Sequence, residues 1–507
     1  MSVQEQYDRM IEMEDNVGFD KYPLKDFDQI GKKNVRRLDG TEKASGRAEY
    51  TMDIQLPGML HLKFLKSPYP HAEIKGMDTS RAEAFPGVRG VLRYDDPELP
   101  EVADLGGHGP TAEKPIPHVA HFEGEPVGVA VVADTEDIAE EALRLIRVEW
   151  EERPFLLDVE KALEPDAPMA HPENYPENNI EVEHVEEHGD VEKGFSQADR
   201  VLEFKVTRRL HTYISPERPC GVVRWNGDYP EFWLKHQRPH ENKRAISSWF
   251  DHIPMNRVEM HMPYQGATFG GWTQFHWNQG PLYCAAFMSK RTGHPVKYAF
   301  DRRGDFYGGS MDEGNYYYKV GFNNDGTIVA VEAKAHLSNP MWEGFGPGNH
   351  FEDNTSIPNL HAPRKVIKVN KGPNTAVRCE QLPNTMSFTL VMDRVAAELG
   401  MDPIDVAIKN DGAKGHDMVW LTERKVEAGF TPRDSLKECL EKERPPSTGT
   451  INGIRPAPIN CPTARCTASP LHGPTNGTIP ADPVKSPCEW NEMTARSVSW
   501  GCGVTTA

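Results

Sequence analysis

Long apolar runs are missing from this chain. Nowhere do about 18 consecutive apolar residues occur, so no membrane-spanning helix is expected. The opening, Met1-Ser2-Val3-Gln4-Glu5-Gln6, lacks the apolar stretch of a signal peptide. Arg36-Arg37 is followed by polar Asp39, Gly40 and Glu42, which excludes a twin-arginine signal and leaves the cytoplasm as the expected compartment. Cysteine is scarce, with eight in 507 residues and no C-x₂-C pair. That excludes a disulfide framework and an iron–sulfur run of the C-x₄-C-x₂-C type. An excess of basic charge is missing too: 57 Lys and Arg stand against 76 Asp and Glu, a net charge of −19. Nucleic-acid phosphates need a basic surface, so nucleic acid is not an expected partner.

What is present is a chain long enough for about three domains of ordinary size. Its most informative stretch is Gly266-Ala267-Thr268-Phe269-Gly270-Gly271, after the alternating run Arg257-Val258-Glu259-Met260-His261-Met262. The alternation predicts a strand. Glycines at its end let backbone approach a ligand, and adjacent amide N–H groups can point at an anion or a metal-oxo group. The pattern is neither Gly-x-Gly-x-x-Gly before a helix nor a P-loop, so a dinucleotide or nucleotide site is not indicated.

The rest of the chain reads as α+β. A helix is predicted over 135–149, with Ala139, Ala142, Leu143 and Ile146 on one face. Further helices are predicted near 240–250, 278–292 and 387–399. Strands are predicted near 201–209, 219–225, 231–235, 315–321 and 328–337, the last two joined by an Asn324-Asp325-Gly326-Thr327 turn. Residues 156–190 form a Pro-, Glu-, His- and Asn-rich linker. It contains His184-Val185-Glu186-Glu187-His188, formally an inverted zinc-protease string. That chemistry needs both His on one face of a packed helix; these acidic surroundings read instead as a solvated loop.

Several separate motifs in order resemble the molybdopterin-binding large subunit of the xanthine dehydrogenase/aldehyde oxidase family. They are Arg36-Arg37-Leu38-Asp39-Gly40, Phe122-Glu123-Gly124-Glu125-Pro126-Val127-Gly128, Phe232-Trp233-Leu234-Lys235-His236-Gln237-Arg238, the glycine turn, Asn374-Thr375-Ala376-Val377-Arg378, and Met392-Asp393-Arg394. The resemblance implies an α/β-hammerhead domain over 35–155 after an N-terminal arm at 1–34. A first molybdopterin-binding domain follows over 191–411, with the start of a second, incomplete one over 412–446. It implies a molybdopterin-type molybdenum cofactor, the cytosine dinucleotide form included, whose metal is held by the pterin dithiolene and by no protein side chain. It implies hydroxylation of an aldehyde, aromatic or N-heterocyclic substrate by water, with electrons leaving to [2Fe-2S] and FAD partner subunits.

By the same resemblance, Gln237 would hydrogen-bond the metal-oxo group. Phe269 would wall the substrate, with Gly270 and Gly271 bordering the cofactor. Arg378 would stabilise charge developing on the substrate. Some residues depart from the family pattern. Trp272-Thr273 stand where Lys-Glu is usual in the purine-oxidising branch, Cys379-Glu380-Gln381 replace a small-residue run, and Ser215 replaces a common Glu. These changes point away from a purine. No Gly-x-Gly-Glu-type turn follows Arg378, so the family's catalytic Glu is missing and the chain is expected to be inactive alone. An aromatic acyl-CoA reductase subunit and a non-catalytic scaffold relic are the alternatives.

Residues 447–507 change character, being rich in Pro, Thr and Gly and holding Cys461, Cys466, Cys488 and Cys502. A metal-binding tail, a disordered tail and a translational frameshift are the readings. The frameshift is favoured, because another frame over Gly449 to Thr467 can spell a string like the family's continuation.

Overall fold

The computed structural model describes residues 37–411, apart from 102, 106–111, 210, 213, 237–238, 251, 268–275, 308–309, 312, 339–350, 352–354 and 373–380, with 437 and 440 beyond. Two sheets carry the fold. The larger has seven strands in the order β14 (Glu259–His261), β13 (Tyr229–Leu234), β12 (Cys220–Asn226), β15 (Val296–Ala299), β1 (Leu60–Lys66), β7 (Pro126–Ala133) and β3 (Val88–Arg93). Every residue of β7 is buried, which is why Pro126-Val127-Gly128-Val129-Ala130-Val131-Val132-Ala133 reads as one apolar run rather than an alternation.

This sheet crosses from the hammerhead-like residues into the later half of the chain. β1 pairs in parallel with β15, Leu60 opposite Val296 and Leu62 opposite Tyr298. One core spans the join, with Leu62, Leu92, Phe232, Trp249, Tyr283 and Val296 in a single cluster. Burying apolar surface from both halves together makes the join part of the core.

The second sheet runs β10 (Arg200–Arg208), β17 (Glu313–Phe322), β18 (Ile328–Ser338), β19 (Leu360–Ile367) and β9 (Ile180–His188). The predicted turn between β17 and β18 is present: Gly326 has φ +88° and donates its N–H to Asn323 O. Helices Gln381–Leu399 and Pro403–Lys409 cover this sheet through Val391, Met392, Val395, Ala396 and Val406. A three-stranded sheet joins β6 (Val119–Ala120), β2 (Ala72–Asp78) and β8 (Arg147–Glu152). Two ribbons pair β4 (Ala103–Asp104) with β5 (Ala112–Glu113) and β11 (His211–Thr212) with β16 (Ser310–Met311).

Three local expectations change. The helix predicted over 135–149 spans only Glu136–Arg144, and β8 follows it. Val148 and Trp150 alternate with charged neighbours and pack on Ile74 and Val127, so tertiary burial draws them into a strand. Helix Gln381–Leu399 begins ahead of the periodic signal that starts near 387. The His184-Val185-Glu186-Glu187-His188 string is no loop: it forms the end of β9, paired antiparallel with β19. Side chains alternate on a strand, so Glu186 turns inward against Arg364, and both are buried. His188 Nε2 contacts Ile357 O at 2.9 Å.

Candidate functional site

β13 and β14 are parallel neighbours at the edge of the large sheet, with Glu231 opposite Glu259 and Trp233 opposite His261. Parallel strands end at the same side. The two segments singled out from sequence, one after Leu234 and one after His261, therefore leave the sheet side by side. Gln265 Nε2 donates to His236 O at 3.0 Å and ties them together. Gln237, Phe269, Gly270, Gly271 and Arg378 themselves lie outside the described residues.

The base of the glycine turn is described in full, and a buried ion pair holds it. Lys235 has a fully buried side chain whose Nζ donates to Glu217 O at 3.0 Å and to Ala267 O at 3.2 Å. The same Nζ lies 3.5 Å from Glu217 Oε2. The Glu217 carboxylate accepts from Gly266 N at 2.7 Å and from Thr51 N at 3.1 Å. Glu217 N in turn donates to Gly266 O at 3.1 Å. A carboxylate accepting backbone N–H groups beside an ammonium is the arrangement that makes a buried charge tolerable.

Backbone geometry at this point is unusual. Ala267 has φ +58°, a left-handed conformation that a non-glycine residue rarely adopts. A Cβ on Gly266 would sit 2.8 Å from Glu217 Cβ, so only glycine fits there. Strained backbone held by its surroundings gathers at sites where main chain must be presented to a ligand.

Other segments brace the frame. Thr51 belongs to the short turn Thr51–Asp53 at the start of the hammerhead-like region. Tyr50 bridges to Tyr264, with their rings 6.3 Å apart. Lys297 Nζ donates to Met52 O and Ile54 O, and burial lowers its pKa. Ser215, the departure noted from sequence, is buried and donates its Oγ to Glu217 O. The guanidinium of Arg302 donates to Ser215 O and Pro216 O. Cys220 stands next to this frame, and burial pushes its thiol well above its usual pKa, so it is no nucleophile at neutral pH.

Sequence reasoning missed Lys235 and Glu217. Their signal was available: Lys235 interrupts an otherwise apolar strand end, Phe232-Trp233-Leu234-Lys235, and a lysine there has to be paired. A groove of ≈ 450 Å³ lies elsewhere, lined by Lys63, Glu140, Tyr298, Asp301 and Arg303, and takes in none of the turn's framework.

The framework fits a group gripped mainly by backbone. It braces the base of the turn by bonding Gly266 and Ala267 to Glu217 and Lys235, and it spends its own charges internally on that pair rather than offering them as metal ligands. That suits a metal carried by an organic dithiolene.

Comparison with known proteins agrees. Residues 45–154 match the aldehyde oxidase and xanthine dehydrogenase a/b hammerhead domain, and residues 170–411 match the molybdopterin cofactor-binding domain. The chain is 29% identical over 447 residues to a probable xanthine dehydrogenase subunit of Bacillus subtilis, covering 86% of this chain and 56% of that protein. It is 28% identical to the nicotinate dehydrogenase large molybdopterin subunit of Eubacterium barkeri, covering 83% of this chain and 96% of that subunit. Quinoline 2-oxidoreductase from Pseudomonas putida 86 superposes with a TM-score of 0.66 at 25% identity, over 74% of this chain and 49% of the other. Aldehyde oxidoreductase from Desulfovibrio gigas shares the fold with a TM-score of 0.68, at 22% identity over 81% of this chain and 46% of the other. The chain thus spans about half the length of several proteins it matches. With hammerhead and molybdopterin-binding regions in that order, it belongs to the xanthine dehydrogenase/aldehyde oxidase family of molybdenum oxidoreductases.

Proposed function

We propose that this chain is the molybdenum-cofactor subunit of an enzyme that hydroxylates an aldehyde, aromatic or N-heterocyclic compound with water. The observation that carries the reading is the pinned turn. The Glu217–Lys235 pair fixes Gly266 and Ala267 beside the segment that leads to Gln237. When bound, the cofactor supplies the redox chemistry and the water-derived oxygen.

The chain's own residues do the rest. Gln237 donates an uncharged amide hydrogen bond to the cofactor. The Gly270 and Gly271 N–H groups border it, and the Phe269 ring edge holds a flat substrate in place. Arg378 stabilises negative charge developing on the substrate. Trp272-Thr273 after the turn favours a substrate other than a purine.

Electrons pass to [2Fe-2S] and FAD groups on partner subunits in this proposal. The catalytic carboxylate comes from residues beyond those described, either in the other reading frame of the gene or on a second polypeptide.

The test is expression with molybdate, followed by measurement of molybdenum and pterin per chain and of turnover on a panel of aldehydes and N-heterocycles. Gln237→Ala is expected to lower molybdenum content, and Arg378→Ala to lower kcat with cofactor retained. Absence of pterin and molybdenum from the purified protein with its partners would overturn the reading in favour of a scaffold.

A further inference from the structure

Away from the turn, three imidazoles stack where the hammerhead strands meet the connector. His121, just after β6, lies between His71 and His171. Its ring centroid is 5.8 Å from that of His71 and 4.2 Å from that of His171, and the second pair is within 5° of parallel. The Glu173 carboxylate contacts His121 Nε2 and lies 3.9 Å from His171 Nδ1. Donor atoms of His121, His171 and Glu173 all fall within 4.8 Å of one another.

The outer ring of the stack keeps a nitrogen that its hydrogen bonds leave unused. His71 is only 3% exposed, and its Nδ1 is bonded to Pro154 O at 2.7 Å. A carbonyl accepts, so Nδ1 carries the proton and Nε2 is a bare acceptor. That Nε2 has no hydrogen-bond partner among the described residues. A buried acceptor without a donor is costly.

The main chain beneath the rings is fixed. Asn370, just after β19 and 2% exposed, donates from its amide to His121 O at 3.1 Å and to Ala170 O at 3.2 Å. Its Oδ1 accepts from Leu156 N at 2.9 Å. Glu125 Oε2 accepts from His121 N at 2.6 Å and stands 3.9 Å from His121 Nδ1. One buried asparagine therefore joins three chain segments and sets two of the histidines against each other before anything binds. The carboxylates of Glu173 and Glu125 offset the positive charge that an ion would bring.

We propose that His121, His171 and Glu173 form a binding site for a divalent transition ion of the zinc class, which clamps the hammerhead-like region to the connector. Two imidazole nitrogens and one carboxylate oxygen are a borderline donor set. It suits Zn²⁺, Ni²⁺ or Co²⁺ and discriminates against Mg²⁺ and Ca²⁺, which prefer all-oxygen shells. Three protein ligands leave room for a water. The side chains of His171 and Glu173, 20% and 42% exposed, give an ion its way in. Imidazole lone pairs lie in the ring planes, so the stacked His121 and His171 rings turn out of parallel to aim both nitrogens at one ion, while the Asn370 bonds keep the backbone where it is.

The experiment uses the full 507-residue chain, stripped with a chelator and titrated with CoCl₂ while visible absorption is followed. The expected result is one Co²⁺ per chain with ligand-field bands of a low-symmetry nitrogen–oxygen site, displaced by ZnCl₂ and unaffected by MgCl₂. His171→Ala and the more conservative Glu173→Gln should each weaken binding by about tenfold or more. ZnCl₂ should raise the melting temperature of the natural chain and not that of either variant. Failure to saturate at one equivalent, or Co²⁺ bands that survive in both variants, would overturn the proposal. Glu173→Gln keeps the shape of a partly exposed side chain, so loss of binding in a variant that still folds is readable.

Discussion

Lys235→Met tests whether the buried ion pair holds the glycine turn. The substitution keeps the length of the side chain and its apolar contacts, and removes only the ammonium. It strips one hydrogen bond each from Glu217 O and Ala267 O and the counter-charge 3.5 Å from Glu217 Oε2. Glu217 stays behind, 7% exposed, still accepting from Gly266 N and Thr51 N but without its ion-pair partner. Breaking a buried pair from one side costs about 3–5 kcal/mol. Glu217→Gln should cost less, since its amide oxygen still accepts one of the two N–H groups. The double variant should be less destabilised than the sum of the singles, with a coupling of about 0.5–3 kcal/mol. Urea denaturation followed by tryptophan fluorescence gives the midpoints, and molybdenum per chain gives the functional readout. Both single variants should lose stability and cofactor together. If Lys235→Met unfolds at the same urea concentration as the natural chain, the pair is not what holds Gly266 and Ala267, and the account of the turn fails.

Gly266→Ala should destabilise by about 1–3 kcal/mol through overpacking against the Glu217 Cβ 2.8 Å away, and calorimetry of the purified variant checks it. Burial raises the Asp393 carboxyl from 3.8 to about 6. Its charged form is therefore disfavoured in the folded state, and stability present below about pH 4 is lost as pH rises through 6. Asp393→Asn should remove that loss, gaining at most about 3 kcal/mol at pH 8 and nothing at pH 4; paired melts at the two pH values decide it. Arg364→Met removes the buried Glu186–Arg364 pair between β9 and β19, leaving His184 Nε2 3.6 Å from the Glu186 carboxylate, and should lower the urea midpoint at neutral pH. A midpoint unchanged from the natural chain would show that β9 does not depend on that pair.

Much of this was legible in the order of residues. Apolar runs and periodic patterns located β12, β13, β17, β18 and the helices Pro239–Ser248 and His276–Thr292, because each carries its own apolar residues into a core. The Asn324-Asp325-Gly326-Thr327 turn was legible because only glycine takes φ +88° cheaply. The ordered motifs placed the chain in its family, since several local patterns in sequence are far more specific than any one. What only the tertiary structure decided is what depends on distant partners. β9 looks like a charged linker because its hydrogen bonds and the partner of Glu186 come from β19, far along the chain. Val148 falls within a helical pattern yet sits in a strand, because it packs on Ile74 and Val127. Lys235, Glu217 and Thr51 meet at the turn from three separate segments, and Asn370 joins His121 to Ala170 from a fourth. Periodicity reports which face of one element is buried. It carries no record of which distant charge or amide will satisfy a buried polar group, and that pairing is what builds both sites.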